Sequence, residues 1–208
     1  MIPLFVDCSG KRIVIFGGGE VASRKAAYFS REAEVLVVSR SFSPKIRALP
    51  VERRVLDVSA VSDEDIAGIT SQAFLVIGTL PDATLNNRIG EICKGQKILF
   101  NNADGEAGDV MLPSVTGGKN YTIAISTKGS SPAVSRFIRE HLEKTYPALD
   151  EMIRLQSELR DHLKHHEPSQ ARRTAILRDV LNDKELWEML KKDPLLARKL
   201  VKKRYLHE

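Results

Sequence analysis

Apolar and polar positions alternate in blocks along most of the chain. Up to about residue 146, short apolar runs are separated by amphipathic stretches, and several runs are continuous Val, Ile and Leu. Such runs are typical of parallel strands covered on both faces. The alternation therefore predicts an α/β fold in which helices cross over between the strands of a parallel sheet. The predicted strands are Arg12–Phe16, Glu34–Ser39, Arg53–Leu56, Ala73–Thr79, Lys97–Asn101 and Tyr121–Ser126, and the predicted helices are Glu20–Ser30, Asp63–Gly68, Thr84–Lys94 and Pro132–Lys144.

Two different patterns follow the fifth predicted strand. Asp109–Val115 is apolar enough for a strand, and the turn-forming segment Gly117–Asn120 comes after it, so we predict a hairpin into Tyr121–Ser126. After Pro147 the apolar positions recur only at helical spacing, which predicts an all-α region. Its helices are predicted at Leu149–His165, Gln170–Leu181, Lys184–Lys191 and Pro194–Arg204. We therefore expect a parallel-sheet domain over residues 1–108, a short segment over 109–146 and an all-α C-terminal domain over 147–208.

Composition and charge exclude several classes of protein. The 208 residues carry a net charge of +5, and aromatic residues make up 6% of them. This small charge excess and the scarcity of stacking side chains argue against a nucleic-acid partner. The N-terminal sequence does not resemble a signal peptide, no apolar run reaches about 18 residues, and Cys8 and Cys93 show no pairing pattern. We therefore expect a cytoplasmic protein that makes no membrane contact.

A glycine-rich turn follows the first predicted strand and opens the first predicted helix. Gly17, Gly19 and Ala22 fit the G-x-G-x-x-G/A fingerprint of dinucleotide-binding Rossmann domains. The first glycine permits the tight turn, the second lets the backbone approach a pyrophosphate, and the small third residue lets the helix pack on the strand. The candidate cofactor contacts at this turn are Gly17, Gly18, Gly19, Glu20, Val21 and Ala22.

The end of the second predicted strand departs from the usual fingerprint. An acid about 20 residues after the glycines ordinarily holds the ribose hydroxyls of NAD. This chain has Ser39, Arg40 and Ser41 there, and these residues are the candidate contacts for the adenosine ribose. An arginine at this position can stack on adenine or meet a 2′-phosphate, so NADP is an alternative to NAD. A solvated arginine is the third interpretation.

Together with segments further along, these residues resemble the precorrin-2 dehydrogenases, whose domain also forms the N-terminal part of bacterial siroheme synthases. The resemblance spans roughly residues 1–147 and is carried by Pro3–Phe5, Gly17–Lys25, Asn101–Asp104, Met111–Ser114 and Ile123–Arg136. It implies oxidation of precorrin-2 to sirohydrochlorin with NAD⁺, and some members also insert Fe²⁺. It further implies a homodimer, in which the segment over residues 109–146 serves dimerisation and substrate binding.

Asp104 is the candidate catalytic residue. The resemblance implies that the aspartate after the fifth strand serves in both dehydrogenation and chelation. Ligands of open α/β sheets bind beyond the carboxyl ends of the strands, and a carboxylate there can accept the proton that leaves during hydride transfer. A loop aspartate that caps backbone amides is the alternative. Thr79 and Leu80 are the candidates on the nicotinamide side, although Gly78–Asp82 departs from the family's common Ala-Thr-Asp-Asp.

Candidate substrate contacts surround the start of the helix at Pro132. Ser131 is a good N-cap, and a helix start with Lys128 and Arg136 nearby can hold the carboxylates of a tetrapyrrole. A phosphate on Ser131 would add negative charge and repel those carboxylates. An ordinary helix cap is the other interpretation, and both can hold at once. The full set of candidates is Ser114, Lys128, Ser130, Ser131 and Arg136.

Three histidines, His162, His165 and His166, share a predicted helix face with Glu158 at spacings that can bind a divalent metal. Charged helices commonly expose histidines, so we predict no metal ligand here, and Fe²⁺ or another divalent ion enters only as a substrate of chelation. The first hypothesis is a cytoplasmic, NAD-dependent precorrin-2 dehydrogenase. The alternatives are a protein that works mainly as a sirohydrochlorin metal chelatase and a dinucleotide sensor that performs no catalysis.

Overall fold

The computed structural model describes residues 2–104 and 107–206. The chain divides into two units, Met1–Leu112 and Pro113–Glu208, which are described in turn. Within the described ranges, the search for a helix with the length and apolar character of a membrane span found none.

The first unit is built on a five-stranded parallel sheet. Its strands are β1 (Arg12–Phe16), β2 (Glu34–Ser39), β3 (Glu52–Val55), β4 (Leu75–Gly78) and β5 (Leu99–Asn102). They lie side by side in the order β3-β2-β1-β4-β5, and Ile15 of β1 is paired with Val37 on one side and Ile77 on the other. Because the strand order reverses between β1 and β4, the space beyond their carboxyl ends is the switch point where such sheets bind ligands.

Four α-helices cross over between these strands. They are α1 (Glu20–Phe29), α2 (Pro44–Arg47), α3 (Asp63–Thr70) and α4 (Ala83–Gly95), and a 3₁₀ turn lies at Val58–Ala60. Helix α3 begins at a capping box, in which Ser62 and Asp65 accept each other's backbone N–H groups. Asp82 caps α4 by accepting from two N–H groups of its first turn. The local sequence thus fixes where both helices begin.

Side chains of the central strands alternate between two apolar layers. Val14 and Phe16 pack in a cluster with Ile66 of α3 and Ile89 of α4. Ile13 and Ile15 face the opposite layer, which contains Ala22, Ala26 and Phe29 of α1 together with Ile46 of α2. All four of these β1 side chains are 0% exposed. The unbroken apolar runs in the sequence therefore reflect a sheet covered on both faces.

The second unit begins with an antiparallel hairpin and continues in helices. The elements are β6 (Ser114–Gly117), β7 (Thr122–Ile125), α5 (Pro132–Thr145), α6 (Leu149–His166), α7 (Gln170–Asn182), α8 (Lys184–Lys192) and α9 (Pro194–Val201), followed by a π-helical turn at Lys202–Leu206. Leu155, Leu159 and Leu163 of α6 form a buried stripe that packs with Leu186 and Leu190 of α8. This second apolar core is separate from the two layers of the sheet.

Most predicted elements are confirmed, and β1 and β2 have the predicted bounds. The prediction of a strand over Asp109–Val115 is wrong for its first five residues, because the strand begins only at Ser114. Residues 109 and 110 instead lie beside β5, where the Asp109 carboxylate accepts from Phe100 N–H at 3.2 Å. Pro113 then lacks the N–H that a strand ladder requires. The last helix also ends earlier than predicted, at Val201.

Candidate active site

The glycine turn joins β1 to α1 at the switch point of the sheet. Gly17 has a φ of +126°, and a side chain on it would approach the Thr79 carbonyl oxygen to 2.9 Å. Its N–H donates to the Val38 carbonyl at 2.9 Å. The Thr79 N–H and hydroxyl each donate to the Phe16 carbonyl at 2.8 Å. The turn is therefore held between the carboxyl ends of β2 and β4, and only glycine fits its first position.

Gly18 brings the loop after β2 against the same turn. A side chain there would overlap the Ser41 carbonyl oxygen and come within 2.7 Å of Ser39 Oγ. The Ser43 N–H donates to the Gly18 carbonyl at 2.9 Å. The structure thus brings Ser39 and Ser41 beside the glycines, and Arg40 lies between them with an exposed side chain.

Gly19 leaves the start of α1 open. It is the N-cap of the helix, and a Cβ on it would meet no atom within 4 Å. None of the described side chains caps α1, whereas Ser62 and Asp82 cap α3 and α4. The first N–H groups of a helix have no partner within it, and together with the helix dipole they favour phosphate. The turn therefore fits a dinucleotide pyrophosphate, which a side chain on Gly19 would displace.

The remaining residues of the fingerprint have different environments. Ala22 is 1% exposed and belongs to the apolar layer between α1 and the sheet. The Glu20 carboxylate accepts from Lys45 Nζ at 2.7 Å, which lowers the pKa of that carboxyl. Val21 is 39% exposed. Ala22 thus supports the close packing of the helix, while Glu20 and Val21 lie at its open end.

Asn86 connects the loops after β4 and β5. Its side chain is 0% exposed, and Oδ1 accepts from the Leu80 N–H at 3.0 Å. Its Nδ2 donates to the carbonyls of Leu80, at 2.9 Å, and of Asp104, at 3.2 Å. Sequence analysis missed this residue, although an asparagine aligned with Ile89 and Cys93 on the buried face of α4 is a recognisable signal. Asn86 therefore holds two candidate segments in one arrangement.

Asp104 lies just beyond β5, at the sheet edge that carries the glycine turn. Its side chain is exposed, and its N–H donates to Asn102 Oδ1 at 3.2 Å. Asn102 in turn donates to Asn87 Oδ1 at 3.0 Å. The Ala103 N–H donates to the Gly78 carbonyl at 2.9 Å, so the loop continues along β4. The backbone of Asp104 is thereby held while its carboxylate stays accessible.

A second residue missed by sequence analysis is Lys25, on the face of α1 toward β5. Its Nζ donates to Asn101 Oδ1 at 2.9 Å, and Asn101 Nδ2 donates to the Val110 carbonyl at 2.7 Å. Burial of the ammonium group, with a smaller contribution from Arg24, lowers the pKa of Lys25 to about 8. The resemblance segments include both Lys25 and Asn101, but their spacing in the sequence does not reveal that they are in contact.

The predicted substrate residues lie in the second unit. Ser131 caps α5 by accepting from the Val134 N–H at 3.3 Å, and its own N–H donates to Thr127 Oγ1 at 3.1 Å. Lys128 has a left-handed φ of +54° and an exposed side chain, and Ser130 is also exposed. Arg136 donates to Glu140 at 2.7 Å. Ser114 begins β6. The prediction of a helix N-cap at Ser131 is thus confirmed.

The histidine face of α6 shows no metal-binding arrangement. His165 and His166 each have Nδ1 within 2.9 Å of a backbone carbonyl one turn earlier. His162 and His166 stack with ring centroids 4.1 Å apart. Across the described residues, no group of three or more His, Cys, Asp or Glu side chains could hold a metal ion.

The sheet order and the open glycine turn define a Rossmann-type dinucleotide-binding domain. A family model described as NAD(P)-binding matches residues 4–114. The precorrin-2 dehydrogenase of Methanosarcina barkeri is 42% identical over 191 residues, which are 89% of this chain and 85% of that protein. The chain belongs to the precorrin-2 dehydrogenase family.

Two further comparisons extend this result. A solved structure of SirC, a precorrin-2 dehydrogenase, matches 98% of this chain with a TM-score of 0.71 and 23% identity, which supports the fold. Siroheme synthase 1 of Klebsiella pneumoniae is 32% identical over 166 residues. This alignment covers 78% of the chain but only 35% of that longer protein.

Proposed function

We propose that this protein oxidises precorrin-2 to sirohydrochlorin with NAD⁺ as the electron acceptor. The observation that supports this most directly is that two features lie at the same edge of the sheet. One is the open helix start at Gly19, and the other is the exposed Asp104 carboxylate. Contacts through Thr79 and Asn86 link the two. Membership of the precorrin-2 dehydrogenase family supplies the substrate class.

The cofactor supplies a hydride acceptor, and the macrocycle loses one hydride and one proton as it is oxidised. The chain's own residues bind and orient the reactants. The N–H groups at the start of α1 hold the pyrophosphate, and Ser39, Arg40 and Ser41 meet the adenosine ribose. Thr79 and Leu80 border the nicotinamide side. Asp104 accepts the departing proton on a carboxylate oxygen.

Substrate anchoring is proposed for the turn before α5. Lys128 supplies an exposed cation, and the N-terminus of α5 favours carboxylates through its N–H groups and dipole. Arg136 is already paired with Glu140, so it would have to exchange that partner for a ligand carboxylate. Ser114 and Ser130 are also proposed to contact the substrate. A phosphate on Ser131 would add negative charge and repel the substrate carboxylates.

Insertion of Fe²⁺ or another divalent metal into sirohydrochlorin is the second proposed activity. The name siroheme synthase, carried by relatives that align with most of this chain, supports it, and the exposed Asp104 carboxylate could take protons displaced from the macrocycle. The metal in that reaction is a substrate. We also propose that the protein works in the cytoplasm as a homodimer.

The deciding experiment is an anaerobic assay with precorrin-2 and NAD⁺ that follows sirohydrochlorin and NADH together. Wild type should form both products in equal amounts. Asp104→Asn should lose about 10²–10⁴-fold in rate, the range for loss of a general base, while NAD⁺ affinity is retained. Asp179→Asn, at an exposed position of α7, is the matched control and should keep full activity. Fe²⁺ added to the same reaction tests chelation.

Tight NAD⁺ binding by wild type without either product would overturn the dehydrogenase proposal. In that case a sensor that binds the dinucleotide without turnover would explain the glycine turn. If Asp104→Asn kept the wild-type rate, the enzyme would stand but the role of Asp104 as proton acceptor would be wrong.

A further inference from the structure

The chain returns to β5 soon after Asp104. Strand β5 ends two residues before this aspartate. At residues 109 and 110 the chain again lies alongside the strand: the Asp109 carboxylate accepts from Phe100 N–H at 3.2 Å, and Val110 N–H donates to the Phe100 carbonyl at 3.1 Å. A side chain on Gly108 would overlap that carbonyl oxygen. Asp104 therefore belongs to a connection that is fastened to β5 on its return side.

Asn101 is a polar side chain in an otherwise apolar row of the sheet. It is paired with Ile77 of β4, and Ile77 is paired with Ile15 of β1. Both isoleucines are 0% exposed, and Asn101 is 6% exposed. Burial of an amide costs free energy unless its oxygen and its N–H groups find partners. An apolar residue would avoid this cost, so the hydrogen bonds that Asn101 makes are what distinguish it at this position.

Lys25 fixes the direction in which the Asn101 amide points. Its Nζ donates to Asn101 Oδ1 at 2.9 Å, while Asn101 Nδ2 donates to the Val110 carbonyl at 2.7 Å. An ammonium group has three donors and no acceptor, so it pairs with the oxygen end of the amide. The nitrogen end is thereby directed at Val110. Lys25 thus acts on the return side of the Asp104 connection through Asn101.

The same lysine belongs to the helix that carries the glycine turn. Lys25 lies in α1, whose open start at Gly19 is the proposed pyrophosphate site. Burial of the ammonium group lowers the pKa of Lys25 to about 8, which shows that its contact with Asn101 is largely withdrawn from water. Buried hydrogen bonds are stronger than exposed ones because the local dielectric constant is low. The pair therefore links α1 firmly to the segment that carries Asp104.

We propose that Lys25 and Asn101 are positioning residues, which hold Asp104 at a fixed place relative to the dinucleotide bound at the start of α1. Neither side chain is assigned a contact with the cofactor or the substrate. The inference rests on the proposed dehydrogenase function, and it deepens that function by naming two residues on which the rate depends.

Two single variants separate the two hydrogen bonds of Asn101. Lys25→Met removes the donor to Oδ1 and leaves the amide free to rotate. Asn101→Asp keeps the pair with Lys25 but places an acceptor against the Val110 carbonyl. In the anaerobic assay with precorrin-2 and NAD⁺, each variant should lower kcat by about 10- to 100-fold, the scale expected when a reacting group is displaced by about 1 Å. The KM for precorrin-2 and the Kd of NAD⁺, measured by calorimetry, should not change.

A double variant distinguishes positioning from a contribution to stability alone. Lys25→Met combined with Asn101→Leu leaves no amide without a partner, and replacement of both partners of a buried hydrogen bond by apolar groups can be nearly neutral. Its unfolding free energy should therefore be at least that of Lys25→Met alone. Its kcat should stay low, because the Val110 carbonyl has lost its donor. Thr70→Val is the matched control, since it removes a buried hydrogen bond to Gln96 at the end of α3, and it should lose stability without losing kcat.

The proposal is overturned if Lys25→Met and Asn101→Asp keep the wild-type kcat, or if the double variant regains kcat together with stability. A parallel loss of NAD⁺ affinity would also overturn it, because the pair would then support α1 itself. All three results leave the proposed dehydrogenase intact, since wild type still forms both products. If wild type forms neither product, the proposed function fails and the positioning role fails with it.

Discussion

Lys25 illustrates how one side chain can make stability depend on pH. Its ammonium group donates to Asn101 and is largely withdrawn from water, so its pKa falls from 10.5 to about 8. Folding therefore disfavours the protonated form. Below pH 8 the ammonium is charged in both the folded and the unfolded chain, so the full free-energy cost of burying that charge lowers stability. Between about pH 8 and 10.5 the unfolded chain binds more protons, so this group makes stability rise with pH.

We predict that Lys25→Met removes this rise. The difference in unfolding free energy between wild type and Lys25→Met should be constant below pH 8. It should then shift in favour of wild type by about 1–3 kcal/mol by pH 10.5. Urea denaturation at several pH values measures it. Lys119→Met, at an exposed turn, is the control and should show no such shift. A flat difference for Lys25→Met would show that the lysine titrates normally.

At the scale of elements, α4 acts as a support for the sheet edge through Asn86. The helix contributes apolar side chains to the core, but this one amide binds the Leu80 backbone and the Asp104 carbonyl. We predict that Asn86→Leu costs about 2–4 kcal/mol in unfolding free energy, because buried backbone groups lose their partners. Turnover should fall more than NAD⁺ affinity, since the glycine turn makes no direct bond to this side chain.

The comparison uses Asn182→Leu, at the exposed end of α7, as the matched control. Denaturation and steady-state kinetics are measured on both variants. If Asn86→Leu kept the stability and the kcat of wild type, the loops after β4 and β5 would hold their arrangement without the Asn86 side chain.

The elements differ in how far the sequence predicts them. The bounds of β1 and β2 were predictable from their continuous Val and Ile runs, because strands that are buried on both faces consist mainly of apolar residues. The glycine turn was also predictable, since its order of strand, glycines and helix is local. Lys25 with Asn101, and Asn86 with Asp104, were missed because each contact joins residues far apart in the chain. The segment from Asp109 to Pro113 was mispredicted because bonds to β5 replace a strand ladder.

At the scale of the whole molecule, the exposed face of α5 bears on assembly. Val134, Phe137 and Ile138 are 47%, 68% and 38% exposed on one helix, which is costly for apolar side chains in water. This supports the proposed homodimer. We predict that wild type sediments at twice the 23.2 kDa of one chain and that Phe137→Asp sediments as a monomer.

Leu195→Asp, on α9, provides the comparison, because Leu195 is similarly exposed at 70% but lies outside the α5 face. It should leave the sedimentation coefficient unchanged. A dimeric Phe137→Asp variant would mean that other surfaces hold the chains together, and a monomeric wild type would remove the homodimer from the proposal.

The open start of α1 also affects how quickly the protein is degraded in the cell. Helices α3 and α4 have side-chain caps, whereas none of the described side chains caps α1, so its first N–H groups are open to a bound anion. Whatever binds only the folded state stabilises it, by about 2.7 kcal/mol when its concentration is 100 times Kd. Cellular proteases remove chains in proportion to the unfolded fraction. The cellular abundance of this protein should therefore rise and fall with the concentration of the dinucleotide.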